Sequence, residues 1–283
     1  MTPPERRTRG RTSRSRLRAL DTYLYQCERP LLERQDGAWR EAAFLDVGFG
    51  EHPWTTLESA EAFRELNPTL PVIGVEADAG RAAAAAGHED ALTRFRHGGF
   101  DWAITAGQPA RLVRAMNILR QYRPEQVEPA HAELGRALLP GGLVVEGSTD
   151  TRGGITVAYL LRQGPEELSR EALLFHTDFH QGFAPLLFRD WLPRDWRRRV
   201  QPGAPLHTFF EAWTQAWSQA REHGAREPAD SFRESVRLLA TTQQGVSTEP
   251  WLLERGYLRW QPPGGVPRPP PSPTGQGART IDL

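Results

Sequence analysis

Between residues 42 and 148 the chain alternates short apolar runs with spacers of helix length. The runs are "AFLDVG", "PVIGVEAD", "LTRFRHGGFDW", "RLVRAMNIL" and "LVVEGST". A continuous apolar run stopped by glycine or an acid is the pattern of a parallel strand buried on both faces. The spacers, among them "DAGRAAAAAGHED" and "PEQVEPAHAELGRALL", carry helical spacing. Strands alternating with helices leave few topologies open, and the simplest is a doubly wound α/β sheet with crossover helices. After Gly153 and Gly154 the pattern changes. "ITVAYLLR" and "EALLFHTDF" follow each other with only a polar connection, as an antiparallel pair at one sheet edge. The expected fold is therefore a seven-stranded Rossmann-like sheet, mostly parallel with an antiparallel edge pair. A C-terminal helical segment with Trp191, Trp196, Trp213 and Trp217 is expected to cap its carboxyl edge.

The two ends are of another kind. "MTPPERRTRGRTSRSRLR" holds seven arginines and almost nothing for a core, and "QPPGGVPRPPPSPTGQGARTIDL" is rich in Pro and Gly. The organisation expected is a disordered basic arm over 1–16 and a core over 17–155. Edge strands and a helical cap of the same domain follow over 156–261, with a disordered tail over 262–283. The arm suggests contact with RNA or DNA phosphates, although solvated tails of this type are common. The 35 basic residues are all arginine and are balanced by 35 acids. Neutral charge gives no global steering toward nucleic acid, and the absence of lysine excludes Schiff-base and P-loop lysine chemistry. A single cysteine, Cys27, fits a reducing, cytoplasmic setting. No run approaches the roughly 18 apolar residues of a membrane helix, so no membrane partner is expected.

The turn after the first run narrows the ligand. In "AAFLDVGFGEHPWTT", Gly48 and Gly50 begin a nucleotide-type turn, but Pro53 and Trp54 stand where a dinucleotide fingerprint has its third glycine. Proline has no N–H for a phosphate, and an indole in that space excludes a pyrophosphate. Thr55 and Glu58 have the spacing of a capping box, which places the helix start late. A nucleoside joined to an amino acid fits this turn better. Glu76, ending the second strand, suits the two ribose hydroxyls. Phe100 and Asp101 in "GGFD" offer a ring face and an acceptor for an exocyclic amine.

With these residues the chain resembles a class I S-adenosylmethionine-dependent methyltransferase, in particular a group of bacterial members. The resemblance rests on "FLDVGFGEHPWTT", "VIGVEAD", "FRHGGFD", "RAMNILRQY" and "LLPGGLVVEGSTD", in that order across about residues 40 to 155. It implies that Asp46, Gly48 and Gly50 line the amino-acid end of S-adenosyl-L-methionine, that Glu76 holds the ribose and Asp101 the adenine, and that Asn117 stands beside the methyl group. The chain departs from the pattern at Glu51 and His52, where many members keep a third glycine.

Methyl transfer from a sulfonium needs in-line positioning more than a catalytic triad, and a base only for a hydroxyl or protonated amine acceptor. The catalytic candidates are Asn117, Glu146, His176 and His180. Asn117 fits equally a backbone hydrogen bond at the strand end, and "ILRQY" after it is not the motif of nucleobase amino-methylation. His176, Asp178 and His180 alternate in "FHTDFH". On a straight strand the outer two are roughly 13 Å apart, too far for one ion, so no metal is expected. Arg120, Tyr122 and Arg123 either face substrate or form a solvated helix start, the favoured reading. The run "RDWLPRDWRRRV" either grips an anionic or aromatic substrate or RNA bases or, the favoured reading, is tryptophan packing with solvated arginines. The acceptor is not named by the sequence; a small molecule is favoured over RNA. The competing readings are a nicotinamide-dependent oxidoreductase and a non-catalytic protein of the same fold that binds RNA through its arm.

Overall fold

A computed structural model describes residues 12–102, 106–197 and 199–270. In chain order its main elements are α1 (Arg18–Cys27), α2 (Arg29–Glu33), β1 (Ala43–Val47), α3 (Trp54–Arg64), β2 (Val72–Glu76), α4 (Ala79–Ala85), β3 (Thr93–His97) and β4 (Ala110–Met116). There follow α5 (Val127–Gly135), β5 (Leu138–Thr149), β6 (Ile155–Gln163), β7 (Leu168–Thr177), α6 (Pro205–Glu222), α7 (Pro228–Ala240), α8 (Pro250–Glu254) and β8 (Tyr257–Trp260).

The strands form one sheet of order β3-β2-β1-β4-β5-β6-β7-β8. The first five are parallel, as the buried runs required. The rest is a meander: β6, β7 and β8 each pair antiparallel with the strand before. The sheet thus has eight strands rather than seven, and the antiparallel part has three members instead of two. The extra strand, "YLRW", is too short to stand out by pattern and exists through its pairing with β7.

Alternation along the strands sorts the core into two layers. Phe44, Val72, Leu112, Val145 and Leu160 pack with α1, α3 and α8 on one face. Leu45, Ile73, Val113, Val144, Tyr159 and Phe175 pack on the other with the aromatic side chains of α6 and α7. Trp213 lies at the centre of that layer against Phe175, Phe188, Phe209 and Phe232, and its Nε1 donates to Ser235 Oγ at 3.1 Å. The helical segment expected to cap the carboxyl edge therefore covers a sheet face, because its apolar stripe is matched by β6 and β7.

At the N-terminal end of β4, Arg111 is buried, and among the described residues its partners are carbonyls and not carboxylates. Its guanidinium donates to the carbonyls of Leu31, Leu32, Arg34, Trp39 and Ala42, and burial pushes its pKa down to about 10. Five acceptors in a ring tie the α1–β1 connection to the sheet, since a buried guanidinium must have its donors satisfied.

Residues 12–16 of the expected arm and 262–270 of the expected tail are among those described. Thr12 to Arg16 lie on the protein, as described below. Val266 is 4% exposed and its N–H donates to the Arg170 carbonyl at 2.7 Å, so the start of the Pro/Gly-rich tail runs along β7. The remainder of the expected arm and tail, residues 1–11 and 271–283, lies outside the described residues.

Candidate functional site

The strand order reverses between β1 and β4, and the turns that follow β1, β2, β4 and β5 meet at this switch point. Crevices at the carboxyl ends of open α/β sheets are where ligands bind. Gly48 and Gly50 have φ of +74° and +85°, the left-handed region open to glycine. Phe49, between them, turns inward against Phe95, with ring centroids 5.3 Å apart. Glu76 is 1% exposed and holds the crevice together: Oε2 accepts the Gly50 N–H at 2.9 Å and Oε1 the Asp78 N–H at 3.1 Å. Each oxygen keeps one lone pair for another donor.

Asn117 ends β4 with φ +63°, a region that Asn tolerates better than most residues. Its N–H donates to Gly147 O at 2.8 Å, and its Oδ1 accepts the Thr149 N–H at 3.0 Å. It clips the ends of β4 and β5 together beside Gly48, whose backbone packs under Ile118. Phe100 is half-buried against Tyr122, with centroids 5.7 Å apart, and Asp101 is exposed at the same rim.

Asp46 has a different task from the one expected. Arg114, fully buried, donates to Asp46 Oδ1 and Oδ2 at 2.9 and 2.8 Å and to Asp21 at 2.6 Å, while Thr56 donates to Asp46 Oδ2 at 2.6 Å. The carboxylate faces α1 and α3, and three of its four lone-pair sites are used there. Strand alternation explains this: Phe44 and Asp46 share the α3 face, Leu45 and Val47 the other. The capping box is also absent. Helix α3 starts at Trp54 with Pro53 at the N-cap, Thr56 is committed to Asp46, and Glu58 accepts the Ser15 N–H. Trp54 packs between His52 and His88 with Arg14 over its ring, on the flank of the turn instead of filling it.

The histidine candidates separate. His176 is buried beside Tyr257, ring centroids 4.7 Å apart, with Nδ1 lacking a hydrogen-bond partner; burial lowers its pKa to about 4, so it is neutral. β7 ends at Thr177, and Phe179 takes φ +66°, folding His180 back. The His180 ring bonds Asp178 through Nδ1 and lies on Gly154, while Nε2 faces the Gln181 amide at 3.1 Å. Burial acts to raise the Asp178 pKa, but the hydrogen bonds from the His180 ring and N–H hold it below the usual carboxylate value. Gln181 also reaches Asp150 Oδ2 at 3.3 Å. Glu146 is deep in the sheet, paired with His131 at 3.2 Å, and its pKa is raised by burial. Among the described residues no group of three or more His, Cys, Asp and Glu is placed to hold a metal.

Two features were missed in the sequence, and a third was read differently. Asp150, just past β5, accepts the N–H groups of Arg152 and Gly154 and shapes the β5–β6 turn. The segment 12–16 crosses the crevice: Thr12 Oγ1 donates to Phe49 O, Ser13 Oγ to Thr151 O, and Arg16 to Asp150 O and Thr149 O at 2.8 and 3.0 Å. β1 and β5 flank β4, so a strap anchored on both passes over the β4 end. Arg120, read as solvated, is half-buried with its guanidinium 4.7 Å from the Trp191 ring centre. The alternation of Ser and Arg in "RTSRSR" was the only available signal for the strap. Two open grooves lie elsewhere, beside Ser169–Glu171 and beside Leu186–Arg189, and neither gathers the groups above.

No family model and no curated protein matches the chain. Solved structures similar to parts of it include the CMeT domain of the citrinin polyketide synthase, 16% identical over 40% of this chain and 30% of that one, with a TM-score of 0.32. Another is SAM-bound CalS10, an amino pentose methyltransferase from Micromonospora echinaspora, 21% identical over 56% and 66%, TM-score 0.33. A third is the N-methyltransferase NodS from Bradyrhizobium japonicum, 16% identical over 46% and 69%, TM-score 0.31. The chain spans less than two thirds of the length of the first two. No helix among the described residues is long and apolar enough to cross a membrane.

Proposed function

We propose that this chain transfers a methyl group from S-adenosylmethionine to a small-molecule acceptor, using the crevice above β1, β2 and β4. The observation that carries the reading is the hydrogen bond from Gly50 to Glu76. It places a buried carboxylate with spare lone pairs beside a left-handed glycine turn, at the switch point of the sheet. That donor set fits a nucleoside. Glu76 would accept ribose hydroxyls, Gly48 and Gly50 would admit backbone contact with the amino-acid end, and Phe100 with Asp101 would meet the adenine. Asn117 would stand nearest the reacting end. When bound, S-adenosylmethionine supplies an electrophilic methyl group on a good leaving group.

The chain's own part is placement, water exclusion and proton handling. The strap over the crevice and Ile118 beneath it keep solvent from the floor. For a hydroxyl acceptor the base is His180. Asp178 holds Nδ1–H, so Nε2 is the accepting nitrogen, and a substrate hydroxyl would take the place that the Gln181 amide holds on it. His176, neutral and enclosed, and Glu146, paired with His131, serve the packing instead.

A nicotinamide cofactor is disfavoured because α3 opens on Pro53, which has no N–H to offer a pyrophosphate. Of the expected arm, Thr12, Ser13 and Arg16 bond the protein itself, while Arg6, Arg7, Arg9 and Arg11 lie outside the described residues, so RNA binding by the arm stands as the rival reading. Calorimetry with S-adenosylhomocysteine, run beside NADH, tests the proposal. Saturable binding of the first alone is expected, with about 2.7 kcal/mol of added stability at a hundredfold excess over Kd. Binding of NADH without S-adenosylhomocysteine would overturn it.

A further inference from the structure

The His180 ring belongs to a run of hydrogen bonds whose directions are set from both ends. Asp178 accepts from Nδ1, and a carboxylate has no proton to return. Nε2 is left as an acceptor, and it faces Nε2 of Gln181 at 3.1 Å. The same amide nitrogen lies 3.3 Å from Asp150 Oδ2. Asp150 is 7% exposed, and its Oδ1 accepts the N–H groups of Arg152 and Gly154 at 3.1 and 2.8 Å. Facing an acceptor-only oxygen, Gln181 must present the NH2 end of its amide. Two carboxylates, one at each end, thus give every proton in the run Asp178–His180–Gln181–Asp150 one direction.

The run is tied to the end of β5. The Asp178 N–H donates to Gly154 O at 2.9 Å, and Gly154 lies under the His180 ring. Thr149, next to Asp150, donates its N–H to Asn117 Oδ1 at 3.0 Å, so adjacent residues hold the rim group and the end of β4. A donor and an acceptor side by side select what docks between them. A hydroxyl answers both: its O–H donates to His180 Nε2, one lone pair accepts from Gln181, and a second lone pair is left to attack carbon. An amine has a single lone pair, which either accepts from Gln181 or attacks. An ammonium has none, and leaves the Gln181 N–H facing another donor. A carboxylate acceptor has no proton for Nε2 and sets lone pair against lone pair.

We propose that Gln181 positions the reacting oxygen of the acceptor, with Asp150 orienting its amide, and that the acceptor is a hydroxyl compound and not an amine or a carboxylate. This rests on the methyltransferase reading with His180 as base. The hydroxyl enters between Nε2 and the amide. Gln181, exposed at the rim, swings back on its own torsions and keeps one N–H on Asp150. The acceptor oxygen forms its bond to carbon as the carbon–sulfur bond breaks, and its proton passes to Nε2. The products are a methyl ether, S-adenosylhomocysteine and an imidazolium held by Asp178.

The full chain saturated with S-adenosylhomocysteine is titrated at pH 8 with benzyl alcohol and with its isostere benzylamine, which is cationic there, by long-range nitrogen–proton NMR. Benzyl alcohol is expected to bind saturably and to shift the His180 Nε2 resonance, and benzylamine to leave Nε2 unmoved. Gln181→Ala keeps the proton on Nδ1 and weakens benzyl alcohol fivefold or more. Asp150→Asn keeps an oxygen for Arg152 and Gly154, so its NH2 meets Gln181. The amide then turns its oxygen to the ring, and Nε2 gains a proton. An amide that only packed the turn would leave the ring unchanged in that variant. S-adenosylhomocysteine affinity within twofold of wild type shows that both variants fold. Equal shifts from the two probes, no shift from benzyl alcohol, unchanged benzyl alcohol affinity in Gln181→Ala, or an unprotonated Nε2 in Asp150→Asn overturns the proposal. Failure of S-adenosylhomocysteine to bind the wild type overturns the methyltransferase reading instead.

Discussion

The Gly50 N–H donates to Glu76 Oε2 at 2.9 Å, joining the turn after β1 to the end of β2. One carboxylate thus supports the loop and faces the crevice. Replacing Glu76 by Gln keeps an oxygen for Gly50 but sets an amide donor against the Asp78 N–H and withdraws the charge. S-adenosylhomocysteine affinity is expected to fall about tenfold or more, roughly 1.4 kcal/mol per decade, with the melting temperature changed by a few degrees. Calorimetry and a melting curve on the same sample decide this; an unchanged Kd removes Glu76 from the cofactor site.

Among the described residues, Arg114 is the cation that pairs with both Asp21 and Asp46 on the α1–α3 face. Arg114→Met leaves two buried carboxylates without their countercharge, which costs about 3–5 kcal/mol. Urea unfolding should show this loss, and adding Asp21→Asn and Asp46→Asn to the same chain should recover part of it. If the triple variant is no more stable than the single one, the charges are not what the substitution exposed.

His176 and Asp21 act oppositely on stability between pH 4 and 6.5. The His176 pKa of about 4 lies below the unfolded value near 6.5, so its contribution is present above 6.5 and is lost as pH falls through 4. The Asp21 pKa, raised to about 6 mainly by burial, contributes below its unfolded value and is lost as pH rises through 6. The wild-type slope therefore conceals both. His176→Phe isolates the first: relative to wild type it should gain about 3 kcal/mol between pH 7 and pH 4. A difference independent of pH contradicts the neutral, buried imidazole.

Gly153 has φ +81°, and its Cα lies against the Arg16 carbonyl. Gly153→Ala is expected to lift the strap. Hydrogen exchange should quicken at the Ser15 amide, which donates to Glu58 at 2.8 Å, while amides of β4 and β5 stay protected. Unchanged exchange at Ser15 means that the strap does not depend on this contact.

For His180 the hydrogen bond to Asp178 fixes the tautomer. Long-range nitrogen–proton NMR at pH 8 should show protonated Nδ1 in the wild type and a mixture, or the other tautomer, in Asp178→Ala. An Nε2–H form in the wild type removes the proposed base.

The five parallel strands were legible because β1, β2 and β4 are buried along their length and β5 from Leu143 onward, while β3, at the sheet edge, alternates. β8 was not, because four residues after a helix have no periodicity of their own and become a strand only where β7 offers an edge. Glu76 and Gly50 could be placed together from strand order alone. The occupation of Asp46 by Arg114 could not, because it depends on which face the residue takes and on an arginine 68 residues away. His180 was read on a straight strand, and the left-handed Phe179 that turns it toward Asp178 has no sequence signal. The strap was hidden by composition: a run of Ser, Thr and Arg has no apolar pattern, and its hold on the protein is a series of hydrogen bonds to backbone carbonyls.

Those carbonyls also set an order of events in time. Arg16 closes on Asp150, 134 positions later, so during synthesis the strap is made long before the partner that fixes it. Loops of that length close late and slowly. The floor of the crevice, built from nearer neighbours, is expected to exist before its roof. A chain arrested before residue 150 would present Gly48, Glu76 and Asn117 with a strap that lacks its anchors on Asp150 and Thr151.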